Sequence, residues 1–98
     1  MLTRDQVLQS LEREAVSLRK LGVRRIGLFG SFALGSAGPE SDLDFVVDFQ
    51  PRTFDAYMDL KLFLEGIFRR PVDLVLADAV KPRLRPTILD GAVYAQGL

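Results

Sequence analysis

Asp42 and Asp44 stand at alternate positions just after a turn rich in glycine, serine and proline that begins at Gly30-Ser31. Residues two apart on a strand point the same way, about 6.6 Å apart at the backbone. Carboxylates at that spacing can converge on divalent ions roughly 4 Å apart. A Gly-Ser turn after an apolar run can present backbone N–H groups to a phosphate. Two carboxylates leave octahedral ions short of ligands, so phosphate oxygens and water must complete the shell. A third carboxylate from a neighbouring strand would close the site. Asp73 is the best candidate, an outward-facing aspartate within Pro71 to Leu76, an otherwise apolar strand. Asp48 has the right parity but lies roughly 13 Å beyond Asp44, and reads as a solvated strand end. Each feature alone has a plainer reading: Ser-Asp as a turn or cap, Asp73 as surface, glycine as ordinary turn punctuation. Their conjunction points to nucleotide chemistry.

The elements that must position these residues are readable. Thr3 and Gln6 form a capping box. Val7, Leu8, Leu11, Ala15, Leu18 and Leu21 follow at helical spacing, and Gly22 is a stop. Ile26 to Phe29 reads as a short buried strand broken by Gly30. Ser31 to Gly35 reads as one short helix and Ser36 to Ser41 as a loop. Leu43 to Phe49 is a second strand, with Leu43, Phe45, Val47 and Phe49 on one face and Asp42, Asp44 and Asp48 on the other. Phe54 to Phe68 is a second long helix with a stripe of Tyr57, Leu60, Phe63, Leu64, Ile67 and Phe68. Met58 and Leu62 widen its apolar arc; either the helix is wedged between sheet and neighbours, or these two await another chain. Pro71 to Leu76 is the third strand, with Val72, Leu74 and Leu76 inward. Pro82 and Pro86 confine any last helix to a short piece around Arg83 to Asp90, capped by Gly91. Val93-Tyr94-Ala95 fits an edge strand. The layout implies a small α/β sandwich around a short mixed sheet.

Composition sets limits on the chemistry. Ninety-eight residues make one small domain, and a 48% apolar fraction supports one core. No apolar run reaches membrane-spanning length. Charges at Arg4 and Asp5 stand where a signal peptide needs apolar residues, so a cytoplasmic protein is expected. The chain has no cysteine and no histidine. Any metal is therefore held by oxygen, which favours magnesium, manganese or calcium. With 13 basic and 13 acidic residues, the chain has no overall electrostatic pull on nucleic acid. Local basic clusters occur at Arg19-Lys20 with Arg24-Arg25, at Arg69-Arg70, and at Lys81, Arg83 and Arg85. They read as solvated helix ends and turns, or as a patch for a partner protein or a triphosphate.

Gly30-Ser31, Gly35 and Ser41-Asp42-x-Asp44 together resemble the signature of the nucleotidyltransferase superfamily typified by DNA polymerase β. The short length, the Gly-Ser-Phe-Ala form and the ending Ile88-Leu89-Asp90-Gly91-Ala92-Val93-Tyr94 resemble the minimal nucleotidyltransferases. These are the antitoxin halves of pairs whose toxins are HEPN-domain ribonucleases. The resemblance implies one nucleotidyltransferase domain over residues 1–98, of class α/β (α+β), with helices flanking a short mixed sheet in the order α-β-α-β-α-β-α. It implies that Gly30, Ser31 and Ser41 bind ATP, that Asp42 and Asp44 bind two magnesium ions, and that Asp73 completes the metal site and helps deprotonate an attacking hydroxyl. The reaction would be an in-line displacement at the α-phosphate with pyrophosphate leaving, chemistry a two-metal site supports without histidine. One departure is Leu34, where minimal nucleotidyltransferases commonly carry arginine. Either Leu34 packs under the short helix or a phosphate contact is lost.

The chain has no room for the helical domain with which larger relatives grip an acceptor. The resemblance therefore implies a HEPN toxin as partner, with a tyrosine hydroxyl as the adenylylated group, in a hetero-oligomer and with neither membrane nor direct nucleic-acid binding. Two alternatives stand beside this: a non-catalytic antitoxin that neutralises by binding, and nucleotidyl transfer to a small hydroxyl compound such as an antibiotic.

Overall fold

The structure, a computed structural model, describes residues 2–38 and 41–98. Met1, Pro39 and Glu40 lie outside the described residues, so part of the Ser36 to Ser41 loop does too. Helix α1 (Arg4–Arg13) starts at the expected capping box. Thr3 Oγ1 accepts from the Gln6 amide at 3.2 Å, and Gln6 Oε1 accepts from the Thr3 amide at 3.0 Å. The expected single helix is interrupted at Glu14 (ψ 16°), after which α2 (Ala15–Lys20) continues. The hydrogen-bond ladder runs through the break, from the Glu14 amide to Ser10 and from the Leu18 amide to Glu14. Val7, Leu11, Ala15 and Leu18 therefore still share a buried side.

Four strands follow: β1 (Val23–Phe29), β2 (Leu43–Phe49), β3 (Val72–Leu76) and β4 (Val93–Tyr94). Between them lie α3 (Gly30–Leu34) and α4 (Phe54–Phe68). The Thr53 hydroxyl caps α4 by accepting from the Ala56 amide at 3.1 Å. The sheet order is β3-β2-β1-β4; β2 and β3 run parallel, and β1 is antiparallel to both β2 and β4. β1 begins three residues earlier than the apolar run suggested, because Val23 pairs with Phe49 across a bulge that leaves Arg24 and Arg25 at the surface.

Alternation divides the sheet into two faces. Leu43, Phe45, Val47 and Phe49 of β2, Ile26 and Leu28 of β1, and Val72 and Leu74 of β3 pack with Val7, Leu11, Leu18, Leu60 and Leu64 of the helices. Asp44, Val46 and Asp48 of β2 turn to the other face, with Gly27 of β1 and Asp73 of β3. That second face is crossed by the chain itself. β3 lies at one edge of the sheet and β4 at the other, while the helices already occupy the first face. Residues 77–92 therefore return over the second face. Val46 and Val80 are buried there outside the main cluster, and the Tyr94 ring and the Ala92 methyl come over Gly27. A side chain at Gly27 would stand 2.9 Å from the Tyr94 ring, so this position must be bare. Instead of one helix between Arg83 and Asp90, this crossing has short turns of 3₁₀ and π type at Pro82–Leu84 and Pro86–Asp90. Two prolines remove the amide donors a regular helix needs.

Leu62 and Phe54 of α4 are 59% and 76% exposed. The helix is thus not wedged on every side.

Candidate active site

β2 and β3 bring the acidic residues together by register. Asp44 pairs with Asp73, and on its other side with Phe29 of β1. Side chains opposite one another in a ladder share a face, about 5 Å apart between strands. Asp73 points out of the core, because Val72 and Leu74 on either side of it are buried. Asp42 stands two residues before Asp44, just ahead of the strand, and is exposed.

Asp44 is half-buried. Burial pushes its carboxyl above the usual carboxylate range, and the charges of Asp73 and Asp42 push it the same way. Asp44 therefore senses both other aspartates. Among the described residues, no three acidic side chains stand close enough, as placed, to hold a single ion between them.

The turn after β1 fits against this acid. Gly30 has φ +73°, and a Cβ there would stand 2.2 Å from Asp44 Oδ2. Any other residue would collide with the carboxylate. Glycine thus lets the Asp44 carboxylate close against the start of the Gly-Ser turn. Ser31 follows in the first turn of α3, and its carbonyl accepts from the Ser36 amide at 2.9 Å. The Ser41 hydroxyl is engaged locally: it accepts from the Gly38 amide at 2.9 Å, while the Ser41 amide donates to the Gly38 carbonyl at 3.1 Å. Ser41 is thus tied to Gly38 just ahead of Asp42. Leu34 does not pack under the short helix; it is 81% exposed.

The donor set suits a hard divalent cation. All three groups are carboxylates, and the repulsion that raises Asp44 is what such a cation would relieve. Asp42 and Asp73 are exposed, so the acids stand where the crossing of residues 77–92 leaves this face open. A cavity of about 300 Å³ lined by Phe49, Arg52, Phe54, Tyr57 and Leu76 lies at the other ends of β2 and β3.

Two residues near the site were not among the site residues expected from the sequence. Tyr94 roofs Gly27 on the acidic face and carries the Arg25 guanidinium 4.2 Å above its ring. Arg70, expected as a solvated helix end, instead folds in over Phe32 and towards Ser41. Its position directly before the apolar Asp73 strand was the available signal.

Comparison with known proteins shows the family. A family model described as "Nucleotidyltransferase domain" matches residues 8–95. The chain belongs to that family. It is also similar to the protein adenylyltransferase MntA of Thermococcus cleftensis, with 35% identity over 96 residues, 96% of this chain and 97% of the relative. A solved chain proposed to be a minimal nucleotidyltransferase matches at 34% identity with a TM-score of 0.80, over 94% of this chain and 95% of its own. An MNT antitoxin complex with tri-AMPylated HEPN toxin of Shewanella oneidensis matches at 22% identity and a TM-score of 0.64, over 93% of this chain and 73% of that one. That last likeness is one of fold. The α/β fold of this nucleotidyltransferase is thus the one that the glycine-serine and aspartate pattern led us to expect. No helix among the described residues is long and apolar enough to cross a membrane.

Proposed function

We propose that this nucleotidyltransferase transfers AMP from ATP to a hydroxyl of a partner protein, and that the partner is a HEPN-domain toxin which it restrains as an antitoxin. The observation that carries the reading is the register pairing of Asp44 with Asp73, beside Asp42 and against Gly30, in a chain 35% identical to a protein adenylyltransferase. The likeness of fold to a toxin–antitoxin complex supports the choice of partner.

Asp42, Asp44 and Asp73 would hold magnesium. The ions, when bound, supply activation of the acceptor hydroxyl and charge neutralisation on the departing pyrophosphate. The remaining work belongs to the chain. Gly30, whose bare Cα lets Asp44 come close, would present the turn to phosphate oxygens, with Ser31 and Ser41 as further donors. Asp73, exposed on the open face, takes the proton of the incoming hydroxyl. The open face leaves the acceptor unenclosed, which suits a hydroxyl presented by a protein better than a small molecule.

Labelled ATP and magnesium form the test, with a HEPN-domain protein sought in the neighbouring open reading frame. Label on the toxin and loss of its ribonuclease activity are expected. Asp42→Asn with Asp44→Asn should abolish both. Full neutralisation by that double variant would instead identify an antitoxin that acts by binding. Label appearing on a small hydroxyl compound without any partner would reassign the acceptor.

A further inference from the structure

Arg70 and its neighbour Arg69 form a basic pair in the sequence, but the fold separates them. Arg69 is exposed and takes the left-handed conformation, φ 54°, that ends α4. That conformation is unfavourable for a residue with a Cβ, and it reverses the chain so that Arg70 turns inward. The Arg70 guanidinium carbon lies 5.1 Å from the centre of the Phe32 ring. Its Nη1 donates to the Ser41 carbonyl at 3.3 Å. Its Nε is buried and, among the described residues, finds no acceptor.

These contacts bracket Asp42. On one side of Asp42, the Ser41 carbonyl is held by Arg70. On the other, the Leu43 amide donates to the Pro71 carbonyl at 3.2 Å. The backbone around Asp42 is therefore tied at both ends to residues 70 and 71, and Asp73 hangs from the same segment two residues on. Asp42 itself is exposed and lies outside the sheet ladder, so without Arg70 the strand side keeps its Pro71 tie while Ser41 is left with its local bonds to Gly38, which do not reach β3. Arginine suits this task because its planar fork can donate to a carbonyl while stacking on an aromatic face, whereas lysine offers a point charge.

We propose that Arg70 is a positioning residue for the acidic site: it pins Ser41 and Phe32 so that Asp42 is held in register with Asp44 and Asp73. This rests on the reading of the three aspartates as a metal site, and the test separates the two claims. Wild type, Arg70→Met, Arg70→Lys and the surface control Arg69→Met are compared by amide hydrogen exchange and by direct Mn²⁺ titration without nucleotide. Arg70→Met should speed exchange at residues 41–43 and leave the helical core unchanged. It should weaken Mn²⁺ binding by about tenfold, as loss of a group that orients metal ligands does. Arg70→Lys should fall between, keeping the donor and losing the stack, and Arg69→Met should match wild type. If Arg70→Met unfolds, Arg70→Lys carries the comparison. Unchanged exchange at 41–43 overturns the proposal, as does faster exchange with Mn²⁺ affinity unaltered, which makes Arg70 a stabilising contact only. If wild type binds no Mn²⁺, the metal assignment fails, and the exchange result alone decides whether Arg70 holds Asp42.

Discussion

The two faces of the sheet are made from the same strands and have opposite chemistry. On one face Leu43, Phe45, Val47 and Phe49 are sealed beneath the helices. On the other, Asp44 is half-buried between Phe29 and Asp73, and its ionised form is disfavoured. Neighbouring residues of one strand thus serve opposite ends: Phe45 stabilises the fold, while Asp44 works against it to keep charge at a site. The contrast teaches that alternation alone can separate the residues that hold the domain together from those that act, without a separate active-site domain.

The sharpest way to break the comparison is to neutralise Asp44. Asp44→Asn should lower nucleotidyl transfer by about a thousandfold or more, because holding a catalytic ion is worth several kcal/mol at the transition state. It should also raise the melting temperature of the metal-free protein by a few degrees, on the order of what small relief of repulsion gives in a domain of this size. Loss of activity together with loss of stability would show that Asp44 belongs with the core. Phe45→Ala, one residue away, should do the reverse and cost about 3–5 kcal/mol of stability in urea unfolding. Gly30→Ala should come next. Its methyl group meets Asp44 Oδ2 and its φ is +73°, so a cost of about 1–2 kcal/mol should accompany a marked fall in transfer rate. Thr53→Ala, far from the acids, removes a helix cap and should cost about 1 kcal/mol with kcat unchanged.

A pH titration sharpens the same contrast. Asp44 binds its proton more tightly folded than unfolded. The contribution of this group to stability is therefore fully present below the ordinary carboxylate value. It is lost as pH rises towards the raised folded value. Wild type without metal should lose this increment across that window in thermal melts. Asp44→Asn should not, and divalent cation should restore it only to wild type.

Much of this was legible from spacing. The Leu43–Phe49 strand and the Phe54–Phe68 helix appear at the bounds their apolar patterns suggested, because each apolar run is bounded by residues that stop it. Asp73 could be linked to Asp44 because an outward aspartate in a buried strand needs a reason. Other features depend on contacts distant in the chain. Nothing local marks the bend at Glu14, where the hydrogen bonds continue. The path of residues 77–92 is set by which edge β4 joins, a choice made by the bare surface at Gly27. Arg70 looked like one of a solvated pair because a left-handed turn at Arg69 cannot be read from composition. Of the two readings of Leu34, the structure denies the packing one, since the short helix already buries Phe32 and Ala33 beneath itself.

The edge strand β4 has a last consequence. Its ladder is two residues long and ties Val93 and Tyr94 to a partner strand near the beginning of the chain. Such a pairing requires closing most of the polypeptide into a loop, so it forms late and frays first. The carboxylate row rests on the longer β2–β3 ladder and survives that fraying. The bulky ring beside it does not. The domain thus sets a long-paired acidic floor beside a rim whose ladder is only two residues long.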